Sequence, residues 1–501
     1  MTTQPNVIII MTDQQRADLS KREGFPLDTT PFLDKLATQG YWFNRAYTTI
    51  PACAPARVSM LTGRYPSATH VRTNHNLPDA TYTKDLFEIF HNQGYQTALV
   101  GKNHTYLTAD DADYWYDVGH LSAEDDETTP EYQTFHEFLK TTHFEAALEP
   151  TPFPLEVQFP YRIVSKAQDW VEERAAAEEP FFLWLSFPEP HNPYQVPEPY
   201  YSMFPPESLP PTLTDESALA TKGFKYEWCR HSFEKAFPDF AEHMPRARAN
   251  YLGLLRLLDD QIERFVTYLE EAGLRDDTII LFLSDHGDFV GEYGLMRKGP
   301  ELPEVLTRIP FSICGPGISA QTQPHAAHVS IADILPTLCD AIGAPLPEGV
   351  QGRSFWPLLT GQPDTANEFQ SAYAEHGFGG EYYGWHEDLD PAADGLITSP
   401  DGVTWGSYDC LNSWTQAGQL RMVRKGDWKL TWDMEGTGAL YNLADDPVEV
   451  NNRFGQPAVA AIQQELMAEL LTWLVRTQDP LPLPRKRYVL KRKSRKHELH
   501  S

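Results

Sequence analysis

The chain has 501 residues, 41% of them hydrophobic and 12% aromatic, and its 70 Asp plus Glu outnumber 41 Lys plus Arg for a formal net charge of −29. This composition excludes a disordered chain, and the length predicts two domains, because single cores rarely grow beyond ~300 residues. The acidic balance excludes nucleic acid and anionic membranes as partners of the surface at large, so an anionic substrate must be drawn in by a local cationic pocket.

Val7-Ile8-Ile9-Ile10-Met11 is the kind of apolar, mostly β-branched run found in strands buried on both faces. It ends in Thr12-Asp13-Gln14-Gln15, which puts polar side chains at the strand's C-terminal edge, where open α/β sheets bind ligands. Thr30-Pro31 opens a helix that runs through Leu36 and is closed by Gly40. Cys53-Ala54-Pro55-Ala56-Arg57 then opens a second helix. Pro55 falls in its first turn, where a missing N–H is harmless. Arg57 lies one turn above Cys53 on the same face, and Gly63 sits where a left-handed cap ends the helix. Cys53 is thereby placed in the positive field of a helix N-terminus beside a fixed cation, an arrangement that binds anions.

Ala98 to Gly101, Phe181 to Leu185 and Thr278 to Leu283 read as further core strands. Each runs into a polar cluster: Lys102-Asn103-His104, Pro190-His191-Asn192 and Ser284-Asp285-His286-Gly287. Helical patterns from Ala249 to Gly273 and Ile331 to Ile342 alternate with them. This predicts an α/β fold with a large, mainly parallel sheet flanked by helices, whose strands share one functional edge. From about Ala372 the texture changes. Loops rich in Gly, Tyr and Trp give way to alternating stretches at Leu420 to Thr431 and Gly438 to Leu443, then to a helix from Pro457 to about Arg476. We expect a catalytic domain over 1–371, a smaller C-terminal α+β subdomain on an antiparallel sheet over 372–480, and a basic tail over 481–501.

Cys53, Cys229, Cys314, Cys339 and Cys410 are scattered and read as reduced thiols. Residues 1–6 lack a basic leader region, Val7 to Met11 is too short for a signal-peptide core, and no stretch approaches the length of a membrane-spanning helix, so a cytoplasmic location is expected. Asp13, Gln14, Asp285 and His286 are hard or borderline donors. They suit Ca²⁺ or Mg²⁺, while the single imidazole leaves Mn²⁺ or Zn²⁺ open. A strand-end Asp can equally serve as a helix cap. Lys102 and His104, two apart on a strand or extended turn, would project together.

Residues 53–63 match every defined position of C-x-P-[SA]-R-x4-T-G and so resemble the signature of the type I sulfatases. The resemblance implies that Cys53 is oxidised to formylglycine by a formylglycine-generating or sulfatase-maturating enzyme, and that the hydrated aldehyde is the nucleophile. It further implies a divalent cation, usually calcium, held by residue 53 with the family's D-D and D-[NH]-G motifs. Asp13, Asp285 and His286 match those motifs. Gln14 stands where the second acid is expected and removes one negative charge. Gly101-Lys102-Asn103-His104 is similar to G-K-W-H-L, Pro190-His191-Asn192-Pro193 to P-H-x-P, and Lys298 falls where the family places a sulfate-contacting lysine. By this resemblance, Arg57 and the cation activate the nucleophile, Lys102 and Lys298 neutralise the sulfuryl oxygens, His191 with Lys298 protonates the departing alcohol, and His104 is the base that expels sulfate.

Thr30 to Ala37, Phe43 to Tyr47, Val329 to Thr337, and the segments at Arg421 to Lys429 and Leu440 to Pro447 are similar to further sulfatase stretches, implying an alkaline-phosphatase-like fold. The expected substrate is a small sulfated sugar or aryl sulfate. A phosphonate monoester or phosphodiester hydrolase on the same framework is the alternative, as is a non-catalytic binding protein should Cys53 stay unmodified. His376, Tyr382, Tyr383, Trp385 and His386 could stack on a sugar or aryl group or simply pack, and Asn74 or Asn76 could line the pocket. No nucleic acid or membrane partner is expected, and a homo-oligomer is left open.

Overall fold

The computed structural model describes residues 4–142, 146–174, 179–299, 301–362, 366–379, 396–398, 404–406 and 418–478. Its main sheet has seven strands: Asn6–Asp13 (β1), Tyr41–Trp42 (β2), Gln96–Gly101 (β4), Tyr114–Asp117 (β5), Phe181–Pro190 (β6), Thr278–Ser284 (β7) and Phe311–Cys314 (β8). A separate pair joins Ala46–Tyr47 (β3) to Val329–Ser330 (β9). In space the main sheet runs β2-β8-β7-β1-β6-β4-β5. The strands from β7 to β5 are mutually parallel, and β8 and β2 close one edge with antiparallel pairings.

The helices that matter below are Pro31–Ala37 (α1), Cys53–Thr62 (α2), Leu86–Asn92 (α3), Phe159–Glu173 (α4), Phe240–Glu271 (α5), Ile334–Ile342 (α6) and Ala460–Thr477 (α7). Strand alternation sends Val7, Ile9 and Met11 to a core shared with α2, α3 and α6, and Ile8 and Ile10 to a core shared with α1, α4 and α5. All five side chains are fully buried. Each such burial stabilises by roughly 1.5–3 kcal/mol, and this fixes the register, since a one-residue slip would exchange the two cores. The expected mainly parallel sheet flanked by helices is therefore found, and its register brings the strand ends together. Thr12 pairs with Ser284, Asp13 with Pro190 and Gly101 with Ser186, so the residues that follow β1, β4, β6 and β7 emerge side by side.

The sequence pattern places the long helix from Ala249, but α5 begins at Phe240 and carries Pro245 inside it. A proline reads as a boundary in one dimension, yet here it only removes the bond to Ala241 O and the helix continues through it. The 331–342 helix opens as a 3-10 turn, Ile331–Asp333, capped by Ser330, before α6 begins. The C-terminal antiparallel sheet comprises Ser371–Gly379 (β10), Gly418–Lys425 (β13), Trp428–Asp433 (β14) and Gly438–Asn442 (β15) in that order, and Leu396–Thr398 (β11) pairs with Thr404–Gly406 (β12). Leu466, Leu470 and Trp473 of α7 pack on Tyr373, Val423 and Leu430 of this sheet and on Tyr65 just beyond α2. Against the sequence expectation, Pro457–Thr477 is long and apolar enough, by length and composition, to cross a membrane. Its apolarity follows from serving the sheet on one face, while Leu471 and Val475 on another are exposed. Tyr382, Tyr383, Trp385, His386, Cys410 and the tail 481–501 lie outside the described residues.

Candidate active site

Helix α2 starts at Cys53 as its sequence predicts. Ala52 is extended, and Gly63 takes the left-handed cap (φ 64, ψ 23), with its N–H donating to Ser59 O over 2.9 Å. Every residue of α2 is buried, so its N-terminal N–H groups need partners inside the protein. Asn74 supplies one, its Oδ1 accepting from Ala54 N at 3.0 Å. Asn76 serves its own loop instead, accepting from the backbone N–H groups of Arg72 and Thr73 at 3.1 Å each.

The helix aims Cys53 at the strand ends. Its Sγ lies 3.5 Å from Asp13 Oδ1, 3.2 Å from His286 Nε2 and 3.4 Å from Lys298 Nζ. One turn on, Arg57 donates through Nε to Asp285 Oδ2 (2.9 Å) and through Nη1 to Lys102 O (2.9 Å) and Ser186 Oγ (2.8 Å). Its Nη2 is buried without a hydrogen-bond partner, 3.5 Å from Asp13 Oδ2. His286 Nδ1 lies 2.8 Å from Gly287 O, a carbonyl that can only accept, so the ring proton sits there and the Nε2 lone pair faces Cys53. Burial pulls the His286 pKa down to about 4, with Lys298 adding to the effect against Asp285. Burial alone would raise the Asp285 carboxyl, but His286, Arg57 and Lys102 together hold it well below the usual carboxylate range.

Gln14 takes a left-handed backbone (φ 70) at the end of β1. Its N–H donates to Asp285 Oδ1 (3.0 Å), its Nε2 to Asp288 Oδ2 (2.5 Å), and its Oε1 accepts from Lys298 Nζ (3.3 Å). The amide oxygen is thus turned toward the Cys53 side. One donor atom from each of Asp13, Cys53, Asp285 and His286 falls within a mutual 4.8 Å. Two carboxylates, a deprotonated imidazole nitrogen and a nearby amide oxygen suit a hard or borderline divalent cation. The residues fit the metal that the resemblance implies.

Lys102 donates from Nζ to Asp13 Oδ2 and, over 2.8 Å, to His120 Nε2. The chain reaches it through Gly101, whose φ of 109 and close approach to Ser186 O leave no room for a Cβ. His104 does not sit on an extended turn. Its φ is 49, because β4 ends at Gly101 and the segment curls back instead of continuing the strand. It nevertheless joins the cluster, its ring standing edge-on to His120 at 6.1 Å, with Nδ1 buried and unpartnered. His191 Nδ1 donates to Asn192 O (2.7 Å), and its Nε2 lies 3.3 Å from Lys298 Nζ. Burial, reinforced by neighbouring cations, depresses the pKa of His104, His120 and His191 well below the ordinary imidazole value. Lys102 is likewise lowered, first by burial.

The structure therefore gathers Asp13, Gln14, Cys53, Arg57, Lys102, His104, His191, Asp285, His286 and Lys298 into one site. His376 lies elsewhere, buried within β10, where its carbonyl accepts from Arg421. Sequence reasoning missed His120, Glu189 and Asp288. Glu189, at the end of β6, is buried with Oε2 unpartnered, and burial pushes its pKa up to about 8. His120 follows β5 by three residues, the strand-then-polar pattern that marked the other site residues.

The sheet and its flanking helices have the alkaline-phosphatase-like fold. The phosphonate monoester hydrolase of Agrobacterium radiobacter superposes with a TM-score of 0.75 at 23% identity, over 95% of this chain and 96% of its own. The sulfatase family profile matches residues 5–344, a span that holds the whole site, and the chain belongs to that family of sulfuric ester hydrolases. It is 28% identical to an arylsulfatase of Clostridium perfringens over 75% of this chain and 82% of that protein. It is 27% identical to a multifunctional alkaline phosphatase superfamily protein of Trinickia caryophylli, over 95% and 96% respectively.

Proposed function

We propose that the protein hydrolyses the sulfate ester of a small sugar or aryl alcohol, with Cys53 converted to formylglycine and Ca²⁺ bound by Asp13, Gln14, residue 53, Asp285 and His286. The observation that carries this reading is the seat of Cys53 Sγ, 3.2 Å from His286 Nε2 and 3.4 Å from Lys298 Nζ at the N-terminus of a buried helix. Formylglycine, made from Cys53 by a maturation enzyme that oxidises the thiol, supplies a hydrated aldehyde able to take up the sulfuryl group and then release it as sulfate. When held by those residues, a cation would supply positive charge that lowers the pKa of a hydroxyl on residue 53.

The chain's own residues do the rest. Arg57 locks Asp285 and the Lys102 backbone to the nucleophile helix. Lys102 and Lys298 present ammonium groups where charge builds on the nonbridging oxygens. His191 has its Nδ1–H committed to Asn192 O, so the proton delivered to the departing alcohol comes from the Lys298–His191 pair at Lys298 Nζ. The unpartnered Nδ1 of neutral His104 can accept the proton whose removal expels sulfate.

A phosphonate monoester or phosphodiester hydrolase is the second reading, favoured by the likeness to the phosphonate monoester hydrolase of Agrobacterium radiobacter over 95% of this chain. The Lys102 and His104 pair favours sulfate. The test compares kcat/KM for para-nitrophenyl sulfate and for the para-nitrophenyl ester of phenylphosphonate. A clear sulfate preference is expected. A thousandfold preference for the phosphorus ester, about 4 kcal/mol of transition-state discrimination, would overturn it.

A further inference from the structure

We infer that His120 is a positioning residue of this site, using two parts of one imidazole to hold the Lys102 ammonium and the His191 ring in place. The inference rests on the hydrolase reading above. His120 stands in a tight loop beyond β5, closed by the Val118–Ala123 bridge and by Gly119 N donating to Ser122 O over 2.8 Å. The loop is tied to the Lys102 segment, since Val118 N donates to Gly101 O (3.3 Å) and Asn103 N to Asp117 Oδ1 (3.2 Å). The backbone thus delivers the imidazole to a fixed place.

An ammonium can only donate, so His120 Nε2 accepts from Lys102 and the ring proton sits on Nδ1. Lys102 has three N–H groups. Asp13 and His120 take two, which leaves one with a defined direction for a substrate oxygen. The His120 ring also stacks on His191, with centroids 3.8 Å apart and planes 25° from parallel. The stack restrains His191 about its Nδ1 bond to Asn192, and with it the nitrogen that meets Lys298. His120 Nδ1 is itself buried with no partner.

The role predicts a dependence on the leaving group. Misplacing His191 matters where the departing oxygen needs a proton and hardly matters where it does not. The experiment uses the full-length, matured protein and a series of substituted phenyl sulfates from para-nitro to para-methoxy. His120→Gln keeps an acceptor for Lys102 and loses the stack, His120→Phe keeps the stack and loses the acceptor, and His120→Ala loses both. We expect H120A and H120Q to lose kcat about 10–100-fold more on the para-methoxy than on the para-nitro ester, and H120F to lose kcat about equally on both, with KM nearly unchanged. Equal losses on every ester in all three variants, or wild-type kcat in all three at unchanged Tm, would overturn the inference. Should H120A not fold, H120Q and H120F carry the comparison. A wild-type protein inactive on all sulfates would count against the sulfate reading alone, and the same leaving-group series on phenylphosphonate esters would then decide the role of His120.

Discussion

Arg57 Nε donates to Asp285 Oδ2 over 2.9 Å, and both side chains are wholly buried. The same guanidinium reaches Lys102 O and Ser186 Oγ, so one residue of the nucleophile helix ties together the ends of β4 and β7 and the middle of β6. A lysine cannot reproduce that fork. Arg57→Lys should lower kcat by about 10²–10³-fold, as loss of a preorganised donor does. It should also destabilise the fold by roughly 3–5 kcal/mol, because a buried carboxylate loses its partner. Steady-state kinetics with denaturant unfolding checks both, and a variant within tenfold of wild type would contradict the bracing role.

Gln14 Nε2 donates to Asp288 Oδ2 over 2.5 Å, and Tyr194 OH donates to the same oxygen over 2.8 Å. A glutamate at 14 would set two carboxylates face to face. Gln14→Glu should therefore destabilise the chelator-treated protein by about 1–3 kcal/mol, and adding Asp288→Asn should restore most of it. Urea unfolding of the two single variants and the double variant measures the coupling. Additive effects would show that the amide at 14 is not there to face Asp288.

The parallel strands β1, β4, β6 and β7 were legible because each is a continuous apolar run, whereas β5, with the sequence Tyr114-Trp115-Tyr116-Asp117, was not anticipated. Asp13, Gln14, Lys102, His104, His191, Asp285 and His286 were legible because they follow those runs at the same end, Cys53 and Arg57 because they open a helix, and Lys298 through the family resemblance alone. What sequence could not show depends on partners far along the chain. His120 gains its meaning from Lys102, His191 and His104, and Asp288 from Gln14 and Tyr194. His104 reaches the cluster beside His120 by a left-handed turn and not by the strand alternation its spacing suggested. The break at Pro245 hid the first turns of α5, because one-dimensional reading treats proline as punctuation wherever it falls.

Glu189 should make stability fall with rising pH. Its carboxyl ordinarily titrates near 4.5, and burial raises it to about 8. The folded chain therefore holds this proton more tightly than the unfolded chain, so its contribution is full below about 4.5 and is lost as pH rises through about 8. Glu189→Gln, which keeps the shape without the charge, should remove that decline, on the order of a few kcal/mol. Unfolding free energies of both proteins across pH 5–9 test it, and parallel curves would contradict it.

Chelation should abolish activity without unfolding the protein. Lys102 and Arg57 already face Asp13 and Asp285, so the two buried carboxylates keep cationic partners when the cation is removed. Calorimetry should show one cooperative transition with and without chelator, the metal-loaded form being more stable by about 2.7 kcal/mol at a hundredfold excess over Kd. Loss of the cooperative transition on chelation would mean that the cation is structural.

The nucleophile is tested most directly by mass spectrometry of the tryptic peptide spanning residues 46–57, taken from protein co-produced with a maturation enzyme and assayed for sulfate release from the same batch. The account predicts that the active fraction carries an aldehyde at position 53, labelled by a hydrazine. Full activity from protein whose peptide retains only the Cys53 thiol would contradict it.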